Sequence, residues 1–329
     1  MADKMSEVYE AYDMEIYQTM RGRGSIILNT DKGIRQLRQL DESESRLNVE
    51  YQFKEELYGS GFTHIDRCVK NIDDELVSYD RYGNGFVMRM FFEGREIDVQ
   101  NKEEIKNAVL NLADFHIKSR EIFRNTERDV HIRLNSDFKK RNLETKRVKN
   151  FMLKRKSKKK FEEIFLDNYE FFYNQAVECE RRLDEKMLEK MSEHTGYCHG
   201  MYNRHSILIN EETGEYDTIG FDRFYVGNQL NDLYHFMRKT VEKNDYDFEI
   251  MKEITEIYAD KCALSQNDLK YIYTLYLYPE KFYKLGNQYI NAPKNWISPK
   301  MMEKIGKIIA DETKKQDLLG KFNRFYLEN

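Results

Sequence analysis

Cys198-His199-Gly200-Met201-Tyr202-Asn203-Arg204-His205-Ser206-Ile207-Leu208-Ile209 is the stretch that decides the fold, together with Thr218-Ile219-Gly220-Phe221-Asp222 downstream. A histidine–glycine pair opens the first part, and a Gly-Phe-Asp triplet closes the second. If the triplet continues a strand, side-chain alternation puts residues 220 and 222 on the same side. Whether the protein can catalyse a reaction therefore depends on the side chains present in these two segments.

The bulk composition predicts a globular protein that contains one large domain or two lobes. The 329 residues are 40% hydrophobic, which is enough to build a core. The 54 basic and 58 acidic residues give a net charge of -4, so nothing pulls the whole molecule towards nucleic acid or anionic lipid. The four cysteines have no CxxC spacing, and no apolar run has the length of a signal peptide or a membrane span. We expect a protein that is made and retained inside a cell, with no membrane partner.

The first part of the chain has the pattern of an antiparallel meander. Short apolar runs alternate with glycine and asparagine turns, and helical periodicity interrupts them once. The predicted strands cover residues 14–20, 25–28, 33–40, 67–71, 75–79 and 85–92, and the predicted helix covers residues 45–58.

Helical periodicity dominates from Lys102 onward. The sequence therefore predicts an α+β protein with a small antiparallel-sheet N-lobe at residues 1–92 and a larger, mainly helical C-lobe at residues 93–329. The C-lobe carries the loop at residues 198–222. This is the two-lobed layout of the protein-kinase-like fold, in which nucleotide binds in the cleft between the lobes.

Residues 133–160 form the one compositionally biased segment, with 13 lysines and arginines against two acidic residues. Nucleic acid or an anionic surface could bind such a segment. A solvated helix face or loop, balanced by acidic residues elsewhere, is the favoured interpretation because no base-stacking motif is interleaved with the charge.

Three further segments make a family resemblance specific. Gly94-Arg95-Glu96 and Leu112-Ala113-Asp114-Phe115-His116 resemble the hinge and first large-lobe helix of aminoglycoside-phosphotransferase-like proteins. The segment from Asn231-Asp232-Leu233 to Lys239 is similar to the helix after their metal-binding strand. Tyr278-Pro279-Glu280-Lys281 and Lys294-Asn295-Trp296 resemble the terminal signature of one branch, the CotS-type spore coat proteins of endospore-forming bacteria.

The chain departs from that family at the residues of its magnesium site. Phosphoryl transfer needs a carboxylate that orients the attacking hydroxyl, an amide oxygen for one magnesium and a second carboxylate for the metals. The resemblance puts Met201, Ser206 and Gly220 at these three positions. None of them can replace a carboxylate. Asp222 is the possible substitute.

On the small lobe, the resemblance implies a phosphate-pairing lysine on the third strand, and Arg38 lies there by position, with Arg35 as the alternative. Arginine is bulkier and forked, so this exchange is not conservative. The acidic partner on the following helix would be Glu50. Arg38 and Glu50 are thus the candidate residues of a vestigial nucleotide cleft.

The retained residues have structural interpretations. We expect His199 and Gly200 to shape the loop, Asp232 to hold its backbone from the helix behind it, and Trp296 to belong to the terminal signature. His205 has no second histidine or cysteine at ligand spacing, so no metal site is predicted.

The leading hypothesis is a catalytically inactive, kinase-like component of the spore coat that needs no cofactor and has other coat proteins as partners. The resemblance implies the mother-cell cytoplasm and then the coat as its location. The alternative is an active phosphotransferase that uses ATP and magnesium with Asp222, and with Glu215 or Asp217, in unusual roles. An RNA or anionic-polymer binder acting through residues 133–160 is a third hypothesis.

Overall fold

The computed structural model describes residues 5–22, 24–125, 132–133, 138–183, 192–292 and 297–328, without side chains at 132 and 133. These residues divide between two compact units, which we describe separately. The first unit comprises residues 1–131 and 196–226, and the second comprises residues 132–195 and 227–329. The predicted lobe boundary at residue 92 falls inside the first unit and stays a prediction.

The first unit begins with a short helix and a sheet of short strands. Its elements are α1 (Ser6–Glu10), β1 (Ile16–Gly22), β2 (Ser25–Thr30), β3 (Gly33–Gln39), α2 (Glu44–Gly59), β4 (Cys68–Val69), β5 (Ser78–Tyr79), β6 (Gly85–Met90), β7 (Arg95–Glu96) and α3 (Lys102–Arg124). The sheet order is β1-β2-β3-β6-β4, with β5 also on β6, and every pairing is antiparallel. The predicted meander is therefore confirmed.

Local chemistry explains where these elements begin. The Ser43 side chain accepts from the Arg46 backbone N–H at the start of α2, and Asn101 accepts from Glu103 and Glu104 at the start of α3. One face of the sheet packs a core of Val8, Tyr12, Leu28, Leu37 and Met88. A second cluster, of Leu47, Cys68, Leu76 and Val87, joins α2 to the sheet.

A second, smaller sheet carries the loop of interest. β10 (Ile207–Ile209) pairs with β11 (Tyr216–Thr218) on one side and with β7 on the other, in the order β11-β10-β7. The chain passes between the units within two further strands, β9 (Thr195–Cys198) and β12 (Tyr225–Asn228). A 3-10 turn, Arg204–Ser206, leads directly into β10.

The second unit is mainly helical in the residues that are described. It contains β8 (Ile132–Arg133), α4 (Phe138–Leu153), α5 (Lys160–Arg182), a 3-10 turn (Ser192–His194), α6 (Leu230–Lys243), α7 (Phe248–Lys261), α8 (Gln266–Leu277), α9 (Glu280–Asn291), α10 (Pro299–Phe322) and a π-helical turn (Asn323–Leu327). Its aromatic core includes Phe161, Phe165, Phe172, Phe282 and Tyr289. Among the described helices, none combines the length and apolar character needed to cross a bilayer. The α+β class is confirmed.

Candidate functional site

His199 directly follows β9 and is fully buried. Its Nε2 lies 3.1 Å from the Ile219 carbonyl oxygen, and its Nδ1 lies 3.2 Å from the Met201 backbone nitrogen. Because the Met201 N–H donates to Nδ1, the ring proton belongs on Nε2, which donates to Ile219. Both ring nitrogens are thus used to join the start of the loop to the end of the following hairpin, as a structural histidine would do.

Gly200 has a conformation and an environment that exclude a side chain. Its φ is +81°, and a Cβ atom would lie 2.0 Å from the Arg223 carbonyl oxygen. Two residues later, the Tyr202 hydroxyl donates to the Ala108 carbonyl of α3 at 2.7 Å and accepts from the Asn111 side chain at 3.1 Å. The loop is therefore held on α3 by a buried phenol.

Met201 and Ser206 are the residues that the resemblance puts in place of a catalytic carboxylate and a metal-binding amide. The Met201 residue is 40% exposed and presents a thioether. The Ser206 hydroxyl is buried, donates to the Asn203 carbonyl at 2.8 Å and accepts from the Asn203 N–H at 2.9 Å. Its oxygen is therefore occupied in closing the 3-10 turn that precedes β10.

The structure corrects the alternation argument for residues 220 and 222. β11 ends at Thr218, and Gly220 follows in the left-handed region with φ +81°, so strand alternation does not apply to Asp222. The Gly220 N–H donates to Asp66 Oδ2 at 2.8 Å. A buried carboxylate from the loop after α2 thus already lies against the Gly220 backbone.

Arg38 binds Asp222 and does not pair with Glu50. Its Nη1 lies 2.7 Å from Asp222 Oδ2, and the two side chains are 31% and 43% exposed. Arg46 donates to the carbonyls of Asp222 and Phe224 at 3.3 and 2.9 Å. The turn after Gly220 is therefore fastened to both β3 and α2. The alternative residue, Arg35, donates to backbone carbonyls of Lys32 and Ile34.

Glu50 belongs to a buried ionic cluster that sequence reasoning did not find. Its carboxylate accepts from Lys54 Nζ at 2.6 Å and from Arg89 Nη2 at 3.0 Å. Lys54 also donates to the carbonyl and to Oδ1 of Asp66, at 2.9 and 2.8 Å. Within the described residues the predicted Arg38–Glu50 pair is absent, because both partners are engaged elsewhere. We call Glu50, Lys54, Asp66 and Arg89 the ionic cluster.

The electrostatics of the ionic cluster favour the fully charged state. Burial by itself raises the pKa of Glu50, but Lys54 and Arg89 outweigh it and hold that pKa at about 2. Burial likewise lowers the pKa of Lys54, and the Asp66 and Glu50 carboxylates reverse this and raise it above its ordinary value. Two cations and two anions therefore neutralise one another in a place without water access.

These residues do not fit a magnesium–nucleotide complex. Magnesium takes oxygen ligands, mainly carboxylates and phosphates, and Met201, Ser206 and Gly220 supply no carboxylate. The Asp66 carboxylate, which accepts from the Gly220 N–H, and the Asp222 carboxylate are neutralised by Lys54 and Arg38. In the described residues, no group of three or more His, Cys, Asp or Glu side chains is arranged to hold a metal ion.

The acidic residues of the alternative hypothesis form a separate group around His64. His64 Nδ1 lies 3.0 Å from Asp217 Oδ1, and Nε2 lies 3.5 Å from Glu215 Oε1. Burial raises the pKa of Asp217, and His64 partly offsets that shift. His205 pairs with Glu96 at 2.7 Å. Asp222 is bound by Arg38 instead and forms no hydrogen bond with Glu215 or Asp217 in the described part of the chain.

The remaining predicted residues lie in the second unit. Asp232 is in the first turn of α6 and is fully buried. Its contact with the loop backbone stays a prediction, and Trp296 lies outside the described residues. Much of the basic segment forms α4. Two of its residues, Lys149 within α4 and Arg155 just after it, pair with Glu170 and Glu162 of α5.

The cluster residue Lys54 could have been noticed from the sequence. It shares the apolar stripe of α2 with Leu47 and Leu57, where a lysine must be either exposed or paired. Glu50, one turn earlier, was the available partner. Asp66 and Arg89 carry no such signal, because only the folded chain brings them to α2.

The antiparallel sheet, α2 with its glutamate and the His-Gly loop define a protein of the kinase-like phosphotransferase fold. Structural likeness agrees. An aminoglycoside phosphotransferase from Alicyclobacillus acidocaldarius subsp. acidocaldarius DSM 446 matches with a TM-score of 0.81 and 14% identity over 97% of this chain and 95% of that one. The family model described as spore coat putative kinase YutH matches residues 5–322, so the chain belongs to that family.

Two further solved structures show the same fold. Spectinomycin phosphotransferase in complex with ADP and spectinomycin has a TM-score of 0.64 and 12% identity, covering 93% of this chain and 95% of that one. Amicoumacin kinase hAmiN with AMP-PNP and Ca²⁺ has a TM-score of 0.62 and 13% identity, covering 98% and 94%. No curated protein matches the chain. At these identities the likeness shows the fold alone.

Proposed function

We propose that this protein is a catalytically inactive, kinase-like component of the bacterial endospore coat, which acts by binding other coat proteins. The observation that carries the inactivity is the state of Lys54. An ammonium group has three donors, and all three bonds of Lys54 go to oxygens of Glu50 and Asp66. No donor of this buried lysine is left for a phosphate oxygen.

The other charges support the same proposal. Arg38 is paired with Asp222, and Arg89 is paired with Glu50. Losing a general base typically costs about 10²- to 10⁴-fold in rate. Here Ser206 and Gly220 also stand where the resemblance implies metal-binding side chains. One replacement could be compensated by a neighbour, but Asp222 is already engaged by Arg38.

Nucleotide binding and phosphate transfer test the inactivity. We expect ATP, with or without Mg²⁺, to leave the melting temperature of the protein unchanged in a thermal-shift assay. A nucleotide at a hundredfold excess over its Kd would add about 2.7 kcal/mol, which shifts the melting temperature by several degrees. Mg²⁺-dependent stabilisation together with transfer of phosphate to any acceptor would overturn the proposal and favour the ATP-dependent alternative, in which Asp222→Ala abolishes the activity.

The coat role is supported by family membership and needs its own test. We expect a fluorescent fusion, expressed in sporulating cells, to move from the mother-cell cytoplasm onto the forespore surface and to be recovered in the coat extract of purified spores. Fluorescence that stays in the mother cell, with none in the coat extract, would contradict this part of the proposal while leaving the inactivity untouched.

A further inference from the structure

β1 (Ile16–Gly22) is the outermost strand of the larger sheet of the first unit. It pairs with β2 on one side, and no strand of the described residues pairs with its other side. The opposite end of the sheet is β4, which has only two residues, so β1 is the long edge. Its residues at positions 17–21 are all exposed, and they include two large apolar side chains, Tyr17 at 61% and Met20 at 53%.

The edge formed by β1 lacks most of the features that usually keep edge strands from pairing with another chain. Such features include lysines, prolines and β-bulges. β1 contains no lysine and no proline, and Arg21 is its only charged residue. Its one irregularity is a register shift between Ile16 and Gln18, at the start of the strand, and residues 18–22 pair with β2 without interruption. A regular and nearly uncharged stretch of edge is therefore exposed.

The turn between β1 and β2 determines which backbone groups of β1 point away from β2. Gly22 pairs with Ser25 across this turn, and in a four-residue turn the first C=O accepts from the last N–H. The Ser25 hydroxyl also donates to the Gly22 carbonyl at 2.7 Å, so this carbonyl faces β2. Hydrogen-bonded and non-hydrogen-bonded pairs alternate along an antiparallel ladder, so the backbone groups of Met20 face β2 as well. The N–H and C=O groups of Thr19 and Arg21 therefore point outward from the edge.

We propose that β1 pairs with β1 of a second copy of this chain, in antiparallel orientation, about a two-fold axis that passes between the two Met20 residues. In this register Thr19 of each copy lies opposite Arg21 of the other, and every outward N–H and C=O of these residues has a partner. An axis at Arg21 would put like charges opposite each other. An axis at Thr19 would put Arg21 opposite Tyr17, where the register shift interrupts the ladder.

The side chains of the edge agree with pairing between two copies. The two Met20 side chains meet at the axis in a non-hydrogen-bonded pair, where side chains approach most closely. Gln18 lies opposite Gly22, and Arg21 lies opposite Thr19, so no like charges are directly opposed. A two-fold interface uses the same surface of both copies and is closed, which leaves this edge fully paired. The inference does not depend on the inactivity of the kinase-like site or on the coat role.

Analytical ultracentrifugation of the full-length protein tests the dimer. The interface is small, so we expect a monomer–dimer equilibrium within the range of about 1 to 300 µM. Met20→Lys puts two ammonium groups at the axis and should weaken the dimer by roughly tenfold or more. Tyr82→Lys is the matched control, because Tyr82 is 67% exposed on the turn between β5 and β6, and this variant should leave the dissociation constant unchanged. A parent protein that stays monomeric throughout, as an edge that binds only another protein would, overturns the proposal, as does a dimer that Met20→Lys does not weaken.

Disulfide cross-linking tests the register. The four cysteines of the chain are buried, so the parent protein should form no covalent dimer under mild oxidation. In Met20→Cys the two new thiols lie on residues whose Cα atoms are about 4.5 Å apart, within the range that a disulfide spans. In Gln18→Cys the two positions are displaced by about 13 Å along the strands, too far for a disulfide. We expect Met20→Cys to give a covalent dimer on a non-reducing gel and Gln18→Cys to give none. Equal cross-linking of the two variants, or none in Met20→Cys, would contradict the proposed pairing.

Discussion

At the scale of one residue, Glu50 is a buried carboxylate whose charge is used entirely in ion pairs inside the protein. Replacing it with glutamine removes the charge that pairs with both cations, which leaves Lys54 with Asp66 and Arg89 with the more distant Glu42 at 3.8 Å. We expect Glu50→Gln to lower the free energy of unfolding by about 3–5 kcal/mol, the usual cost of breaking a buried pair. Urea denaturation at pH 7 measures this loss. Glu56→Gln, on the exposed face of the same helix, is the control and should stay within about 0.5 kcal/mol of the parent protein.

The same carboxylate makes stability depend on pH. The folded-state pKa of Glu50, about 2, lies below its ordinary value of 4.5. Its contribution is therefore fully present above pH 4.5, declines as the pH falls below that value and is lost as the pH falls through 2. The whole contribution is about 3 kcal/mol, of which about 1 kcal/mol is lost by pH 3.5. The stability difference between the parent protein and Glu50→Gln should shrink by that amount between pH 7 and 3.5, and a constant difference would contradict the pKa.

Gly200 and Gly220 have nearly the same backbone conformation in different surroundings. Both have φ +81°, but a Cβ atom on Gly220 meets nothing within 4 Å, whereas one on Gly200 would lie 2.0 Å from the Arg223 carbonyl oxygen. Gly220→Ala should cost about 1–2 kcal/mol, the penalty of the left-handed region. Gly200→Ala should cost about 4 kcal/mol or more. Chemical denaturation of the two variants checks the order, and equal losses would show that the Arg223 contact is not decisive.

At the residue scale, the sequence indicates which side chains the loop contains but not which residues they contact. His199 and Gly200 are predicted to shape the loop; in the structure His199 contacts the Ile219 carbonyl, and Gly200 lies against the Arg223 carbonyl. The Arg38–Glu50 pair was wrong because its acid is held by Lys54 and by Arg89 of β6. Spacing along α2 could indicate the Glu50–Lys54 pair. It could not indicate partners that arrive from a separate loop and strand.

Among the elements, the helix α2 was predicted more closely than the short strands. α2 was expected at residues 45–58 and is found at Glu44–Gly59. The shortest strands differ most: a strand was predicted over residues 67–71, but only Cys68–Val69 pairs with β6. The extent of a strand depends on how far its neighbour runs beside it, and this information lies elsewhere in the chain. α1 gave no usable signal because it has only five residues.

The cap of α8 offers a test at the same scale. The Ser265 side chain accepts from the Asp268 backbone N–H, while the Asp268 carboxylate accepts from Ser265 N–H and Oγ–H. We expect Ser265→Ala to lower stability by about 1 kcal/mol and Ser265→Gly to lower it by only a few tenths. Thermal unfolding of both variants provides the comparison. Equal losses would mean that the greater ease with which glycine adopts the N-cap backbone conformation does not affect stability at this position.

Over the whole molecule, the reactivity of the four cysteine thiols can be used to follow the unfolding of each unit. Cys68 and Cys198 belong to the first unit, and Cys179 and Cys262 belong to the second. All four are free thiols and are buried, and burial raises the pKa of Cys68 to about 11 and that of Cys179 to about 12. We expect iodoacetamide to label none of them in the native protein at pH 8 within minutes and to label all four in urea. Mass spectrometry of peptides identifies the sites.

The order in which the thiols become reactive as urea is increased tells whether the two units unfold together. A single transition for all four sites indicates one cooperative unit, and separate transitions for the Cys68–Cys198 and Cys179–Cys262 pairs indicate two. Rapid labelling of any of the four thiols without denaturant would contradict the burial on which this prediction depends.

The contact between Asp66 and the Gly220 backbone has a consequence for evolution. A carboxylate introduced at position 220 would lie close to the Asp66 carboxylate that accepts from the Gly220 N–H, and like charges at such a distance repel. It would also find Lys54 saturated and Arg38 bound to Asp222. Under the proposed function, a single substitution at position 220 would therefore not create a metal site, because the surrounding charges are already paired. Under the same function, regaining catalysis would require several substitutions at once, because the new carboxylate and the residues that now pair with its neighbours would all have to change.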